Sequence, residues 1–267
     1  MLPALLSKFD VFTLIFLDNF GFSTLLSLFI AAFVAGFVDS IAGGGGMITI
    51  PALLLSGIPP LEALATNKFQ ATFGSFYAAY HFYKRGYFDF KASFPFVVLV
   101  FIFSALGTIS VQFVQTESLS KILPFLILLF GFYFLFSPKI SEEQRATTLH
   151  KGFLILALAC VGLYDGFFGP GTGSFFILSL IILGGFGLTQ SLAQAKLYNF
   201  ATNIASLLFF ALGGKILFIV GIVMALGQFI GANLGARAAI AYGIRIVKPL
   251  IVMVSFAMAA KLLYEQF

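Results

Sequence analysis

From about residue 20 to residue 264 the chain alternates long apolar runs with short polar interruptions. Runs of this length predict membrane-crossing helices, because about 20 apolar residues cross a bilayer. Within lipid only helices and closed barrels satisfy their own backbone. In the first half, spans are predicted over about 22–39, 61–83, 92–114 and 122–136, with a short apolar piece at 47–56 after the first. The second half repeats this order: a span from about 153, a short piece at 174–183, then segments at 188–212, 216–235 and 249–264. Residues 9–20, interrupted by Asp10, Asp18 and Asn19, are expected at the membrane interface.

Two interruptions are glycine breaks, each preceded by an aspartate: Asp39 before Gly43-Gly44-Gly45-Gly46, and Asp165 before Gly169-Pro170-Gly171-Thr172-Gly173. Glycine in a helix costs about 1 kcal/mol relative to alanine, so a continuous helix through four of them is not expected. Asp39 and Asp165 lie 126 positions apart, and Lys68/Lys196, Gly86/Gly214 and Gly107/Gly235 each lie 128 apart. So constant an offset indicates duplication. An odd number of segments per copy makes the copies inverted. The predicted fold is therefore an all-α polytopic membrane protein with two inverted repeats of about five hydrophobic segments each. The repeats cover about 20–137 and 152–264, joined by a loop at 138–151, in one membrane domain over 1–267. The glycine-broken helices are placed at the repeat interface.

Composition agrees: 60% of residues are hydrophobic and 9% charged, with a mean hydropathy of +1.07. The net charge of +5 then bears on orientation and not on nucleic-acid binding. Lys84, Arg85 and Lys91 sit in one loop, Lys139, Arg145 and Lys151 in the joining loop, and Arg237, Arg245 and Lys248 in the 237–248 region. Placing these three on the cytoplasmic side satisfies the positive-inside rule and leaves both termini periplasmic. The first residues lack a basic region and a cleavage site, so no removable signal peptide is expected. Cys160 is the only cysteine, which excludes an intrachain disulfide and argues against a thiolate metal site. No hydrolytic or metal motif occurs, and the Gly169–Ser174 stretch lacks the Gly-Lys-Ser/Thr ending of a phosphate loop. Neither an enzyme nor a cofactor is expected.

The informative residues are the intramembrane charges Asp39, Lys68, Asp165 and Lys196. Each costs about 2.5–3.5 kcal/mol at mid-span, so they must pair or line water. Lys196, Asn199 and Asn203 form one polar stripe at helical spacing, and Lys68, Thr72 and Ser75 form its counterpart. Thr66, Asn67 and Gln70 add polarity to the same segment. Ammonium, amide and hydroxyl groups beside helix starts at Gly43–Gly46 and at Gly169, Gly171, Thr172 and Gly173 suit a small oxyanion. Lys68 and Lys196 are the expected anion contacts. Asp39 and Asp165 are expected to orient the lysines or to accept a coupled proton, with Asp165 and Lys196 treated as a pair. The alternative is that the Asp–Lys pairs only clamp the broken helices. Gly227, Gly231 and Gly235 recur every four residues and read as a close helix contact.

The segments Ala35-Gly36-Phe37-Val38-Asp39-Ser40-Ile41-Ala42-Gly43-Gly44-Gly45-Gly46, Ala65-Thr66-Asn67-Lys68 and Tyr164-Asp165-Gly166-Phe167-Phe168-Gly169-Pro170 closely resemble the TauE/SafE family of sulfite and organosulfur exporters. The resemblance covers essentially the whole chain and is nearest a branch of bacterial inner-membrane proteins. It implies a permease for a small sulfur-containing anion, such as sulfite or an organosulfonate, in the bacterial inner membrane. The partners it implies are that anion and the bilayer, with no nucleic acid; oligomeric state has no signal here. The rival reading is a channel or membrane scaffold without coupled transport.

The charge pattern makes a direct prediction about sidedness. In a cysteine-free background, a cysteine at Glu142 should react with an impermeant thiol reagent only after the inner membrane is permeabilised. A cysteine at Phe267 should react without that step, and the opposite pattern would reverse the topology.

Overall fold

The computed structural model describes residues 20–136 and 151–242, together with Phe256, Ala260 and Tyr264. The expected interfacial stretch at 9–19, the joining loop at 138–150 and, apart from those three residues, the last span lie outside the described residues. Nine helices and no strands are found among the described residues. In the first half they are α1 (Phe22–Ala42), α2 (Gly46–Leu55), α3 (Pro60–Lys84), α4 (Phe90–Val111) and α5 (Thr116–Phe136). In the second they are α6 (Lys151–Phe167), α7 (Thr172–Ile182), α8 (Leu188–Leu212) and α9 (Phe218–Tyr242). Four of them, α1, α4, α8 and the 218–238 part of α9, are long and apolar enough to cross a membrane.

Local chemistry explains most boundaries. Pro60 opens α3 at its first position, where a missing N–H does no harm. Asp89 accepts the Lys91 N–H at 2.8 Å to start α4, as a capping side chain should. Gly43 ends α1 in the left-handed region at φ 80°, with its N–H on the Asp39 carbonyl; glycine enters that region without strain.

Two boundaries differ from the sequence expectation. The polar 116–121 stretch is the opening of α5 and not a loop; Glu117 in its first turn complements the positive helix end. Residues 237–242 of the expected polar 237–248 region are helical, because α9 continues to Tyr242; 243–248 lie outside the described residues.

The two halves exchange their fourth helices. The most extensive packing is α9 of the second half on α1 of the first, followed by α4 of the first half on α6 of the second. Next, α9 packs on α3 and α4 on α8, while α3 and α8 face each other at the centre. Each of these contacts has its counterpart when the halves are interchanged. The short helices α2 and α7 lie against the long helices of their own halves.

Small residues make the exchange possible. Gly227, Gly231 and Gly235 of α9 face the carbonyls of Phe29, Phe33 and Phe37 on α1, which a Cβ at each glycine would approach to 2.5, 2.0 and 2.3 Å. The close contact expected from their spacing is therefore the α1–α9 seam. Gly107 of α4 stands in the equivalent relation to Leu163 of α6, where a Cβ would come within 2.1 Å of the carbonyl oxygen. Close backbone approach of this kind replaces the hydrophobic force that lipid does not supply between helices.

Gly107→Val and Gly235→Val should each destabilise the detergent-solubilised protein by at least about 1–3 kcal/mol, because backbone and not a movable side chain fills the space. Gly152→Ala, with nothing within 4 Å of the added carbon, should leave the melting temperature unchanged. Equal melting of all three would refute this account of the seams.

Candidate functional site

The two broken helices meet at the centre of the molecule. α1 ends at Ala42 and α2 begins at Gly46; α6 ends at Phe167 and α7 begins at Thr172. Gly43 and Gly173 touch backbone to backbone, since a Cβ on Gly43 would lie 2.6 Å from the Gly173 Cα. The Ser174 hydroxyl donates to the Ala42 carbonyl across this contact.

Beside it lies a cavity of about 30 Å³. From the first half it is lined by Asp39, Gly43, Gly45, Gly46, Asn67, Lys68 and Gln70. The second half contributes Asp165, Gly169, Thr172, Gly173, Asn199 and Asn203. The breaks and the polar faces of α3 and α8, 128 positions apart in sequence, are thus brought to one place.

The four intramembrane charges form two ion pairs, and both cross between the halves. Lys68 on α3 meets Asp165 on α6, Nζ to Oδ1 2.8 Å. Lys196 on α8 meets Asp39 on α1, Nζ to Oδ2 3.0 Å. Pairing of Asp165 with Lys196 within one half, as the sequence reading had it, is therefore corrected. The fold sets α3 against α8, so each lysine reaches the aspartate of the other half. Exposure is 2% for Lys68, 0% for Lys196 and 3% for Asp165, so partners and not water compensate these charges.

The pairs are not equivalent. Lys196 also donates to the Asp39 backbone carbonyl, and Asp39 Oδ1 accepts the Gly45 N–H at 3.2 Å. This pair sews the first break together. Lys196 does not line the cavity, so its expected direct contact with an anion is not supported by its position. Asp165 Oδ2, by contrast, has no hydrogen-bond partner among the described residues. The second break is held by other groups: Tyr164 donates its hydroxyl to the Pro170 carbonyl at 2.7 Å, and Thr172 Oγ1 to the Gly169 carbonyl at 2.7 Å.

Other expected residues lie elsewhere. Thr66 faces away from the cavity and accepts the Leu217 N–H at 3.1 Å, fixing the α8–α9 connection to α3. Gly44 and Gly171 belong to the breaks but do not line the cavity. In the α3 stripe, Thr72 donates back to the Lys68 carbonyl, and Ser75 accepts the Asn203 amide at 3.2 Å. Thr72 is satisfied within its own helix and Ser75 donates to the Ala71 carbonyl while tying α3 to α8, so the lining arc runs instead through Asn67, Lys68 and Gln70. Thr49 of α2 secures Asn67, donating to its Oδ1 at 2.5 Å.

Gln228 of α9 lines the cavity and was absent from the sequence reading. Its signal was available: an amide within a largely apolar span is costly enough to mark a site. It was overlooked because it follows Gly227 in a stretch that reads as packing.

Beside this geometry, the family model described as "Sulfite exporter TauE/SafE" matches residues 28–262. A "Probable membrane transporter protein" of Haemophilus influenzae is 46% identical over 249 residues, covering 93% of this chain and 98% of that protein. The "Probable membrane transporter protein YfcA" of Escherichia coli is 46% identical over 239 residues, 89% of each chain. The "Probable membrane transporter protein ORF9" of a Sinorhizobium species is 44% identical over 250 residues, 93% of this chain and 96% of that protein. No solved structure matches the chain significantly.

The crossed pairing predicts the outcome of a double-mutant cycle. Asp165→Asn and Lys68→Gln should each destabilise the protein by about 3–5 kcal/mol, and together by less than the sum. The combination of Asp165→Asn with Lys196→Gln should be additive or worse. Thermal unfolding in detergent measures both, and coupling in the second combination alone would refute the crossed arrangement.

Proposed function

The chain belongs to the TauE/SafE family, and on that premise we propose that it is a secondary transporter of a small sulfur-containing anion, such as sulfite or an organosulfonate. The observation that carries this reading is the convergence of two helix starts, Gly46 of α2 and Thr172 of α7, on the central cavity. Met47, Ile48, Thr172 and Ser174 donate their N–H groups to carbonyls of the two breaks, and the aligned peptide dipoles still make each helix end positive. The two ion pairs are neutral as pairs, so the fields of the helix ends remain to attract an anion. Lys68 is the lysine that lines the cavity, and it supplies the mobile point charge. The amides of Asn67, Asn199 and Asn203 and the backbone at Gly43, Gly45, Gly169 and Gly173 complete the binding surface in this reading. Lys196 and Asp39 hold the first break in shape. Transport needs none of these residues to act as a nucleophile, so the role is that of a carrier and not an enzyme.

The crossed ion pairs span the division between the halves. The exchange of α4 and α9 between halves supports two inverted repeats that rock against each other about a central site. In this reading the positive-inside rule sets the 84–91 turn on the cytoplasmic side of the bacterial inner membrane, with the termini periplasmic.

Counterflow in proteoliposomes tests the reading. Labelled sulfite should accumulate transiently against unlabelled sulfite inside, which a channel does not permit. Lys68→Gln combined with Asp165→Asn, folded because no buried charge is left alone, should lower exchange by about 100-fold, as loss of a buried charged contact does. Full exchange in this double variant would make the pair a clamp and remove Lys68 from the site.

A further inference from the structure

The cavity holds acceptors as well as donors, and three of its acceptors have no partner. Asp165 Oδ2, Gln70 Oε1 and Gln228 Oε1 are buried without a hydrogen bond among the described residues, and all three residues line the cavity. Gln70 and Gln228 are 1% and 2% exposed. The amide nitrogen of Gln70 donates to Asn67 Oδ1 at 3.0 Å, which turns its carbonyl oxygen away from that contact. Gln228 lies against Gly74, where a Cβ would come within 2.6 Å of its Cγ; the glycine makes room for this side chain.

Comparison of the halves shows that the shared backbone contact does not demand a glutamine here. At the 128-residue offset, position 228 corresponds to Val100. Both residues make the same backbone contact: a Cβ on Gly36 would meet the Gln228 carbonyl oxygen at 2.3 Å, and one on Gly162 the Val100 carbonyl oxygen at 3.0 Å. Valine meets the packing requirement in one half and is fully buried. The glutamine in the other half is thus a polar group within a membrane helix, where it is costly, and the residue lines the cavity.

We propose that Gln228, together with Gln70, reads a hydrogen-bond donor on the transported anion, so that the site prefers anions bearing an O–H or N–H over donor-free ones. This rests on the anion-carrier reading above. Buried acceptors are satisfied only by donors, and an anion whose polar atoms are all acceptors would leave these oxygens unpaired. A site built to hydrogen-bond a ligand hydroxyl discriminates strongly against the analogue that lacks it, for the same reason. The negative group is held by Lys68 and the helix starts, and the donor points to the α3–α9 wall. Because Val100 is apolar at the equivalent position, the ligand sits in one orientation and not two.

Ethanesulfonate and 2-hydroxyethanesulfonate differ by one hydroxyl and form the matched pair for the test. Affinity is read from ligand-induced thermal stabilisation of the purified full chain, independently of transport. The wild type should bind the hydroxylated compound about tenfold or more tightly, and Gln228→Met, of similar length without the amide, should bind both within about twofold. A wild-type ratio near one, or a ratio preserved in Gln228→Met, overturns the proposal while leaving the anion site standing. Stabilisation by sodium relative to choline, without a ratio, also overturns it and assigns the oxygens to a cation. Failure of both sulfonates and of sulfite to stabilise the wild type removes the anion site as well. If Gln228→Met does not melt cooperatively, the wild-type ratio decides alone.

Discussion

Four ionised groups in a membrane interior would be ruinous singly, and their crossed pairing makes this architecture possible. Lys68 with Asp165, and Lys196 with Asp39, join the two halves of the chain at their least regular points. Each aspartate sits in the last turn of a helix that then breaks, and each lysine sits on the long helix of the opposite half. The broken backbone is tolerable at membrane depth because protein covers it. The ion pairs are part of that cover. Removing either partner leaves a charge in a place where neither water nor lipid can solvate it.

Exchange of the fourth helices puts α3 and α8 face to face and so brings each lysine to the other half's aspartate. α9 lies on α1 and α4 on α6, with glycines against carbonyls in both seams. Helices this close draw the breaks inward until Gly43 and Gly173 touch. The site is therefore a consequence of packing at the seams, whose glycines do not themselves line it. Substitutions at Gly107 or Gly235 act on it without lining it.

The halves match in backbone and diverge in chemistry. Asp39 binds its own break through the Gly45 N–H and takes Lys196 twice, while Asp165 has one oxygen on Lys68 and the other unpaired. Gln70 corresponds to Tyr198, whose hydroxyl donates to Gln194, and Gln228 corresponds to Val100. One break is thus saturated and the other has bonding capacity left over.

Hydropathy, the two glycine breaks and the 126–128-residue offset, read alone, specify an all-helical membrane chain with two similar halves. They do so because bilayer thickness dictates segment length and glycine weakens helices locally. The residues around the breaks were legible for the same reason: charge and amide groups within spans are too costly to be incidental. Three features were decided only by tertiary structure. Which lysine meets which aspartate depends on the facing of α3 and α8, and periodicity within one helix has no information about its neighbour. Thr66 turned out to hold the α8–α9 connection, because a helical face is polar toward whatever packs there. Gln228 entered the site because α9 crosses to the other half, a contact set by glycine–carbonyl approach between helices about 200 residues apart.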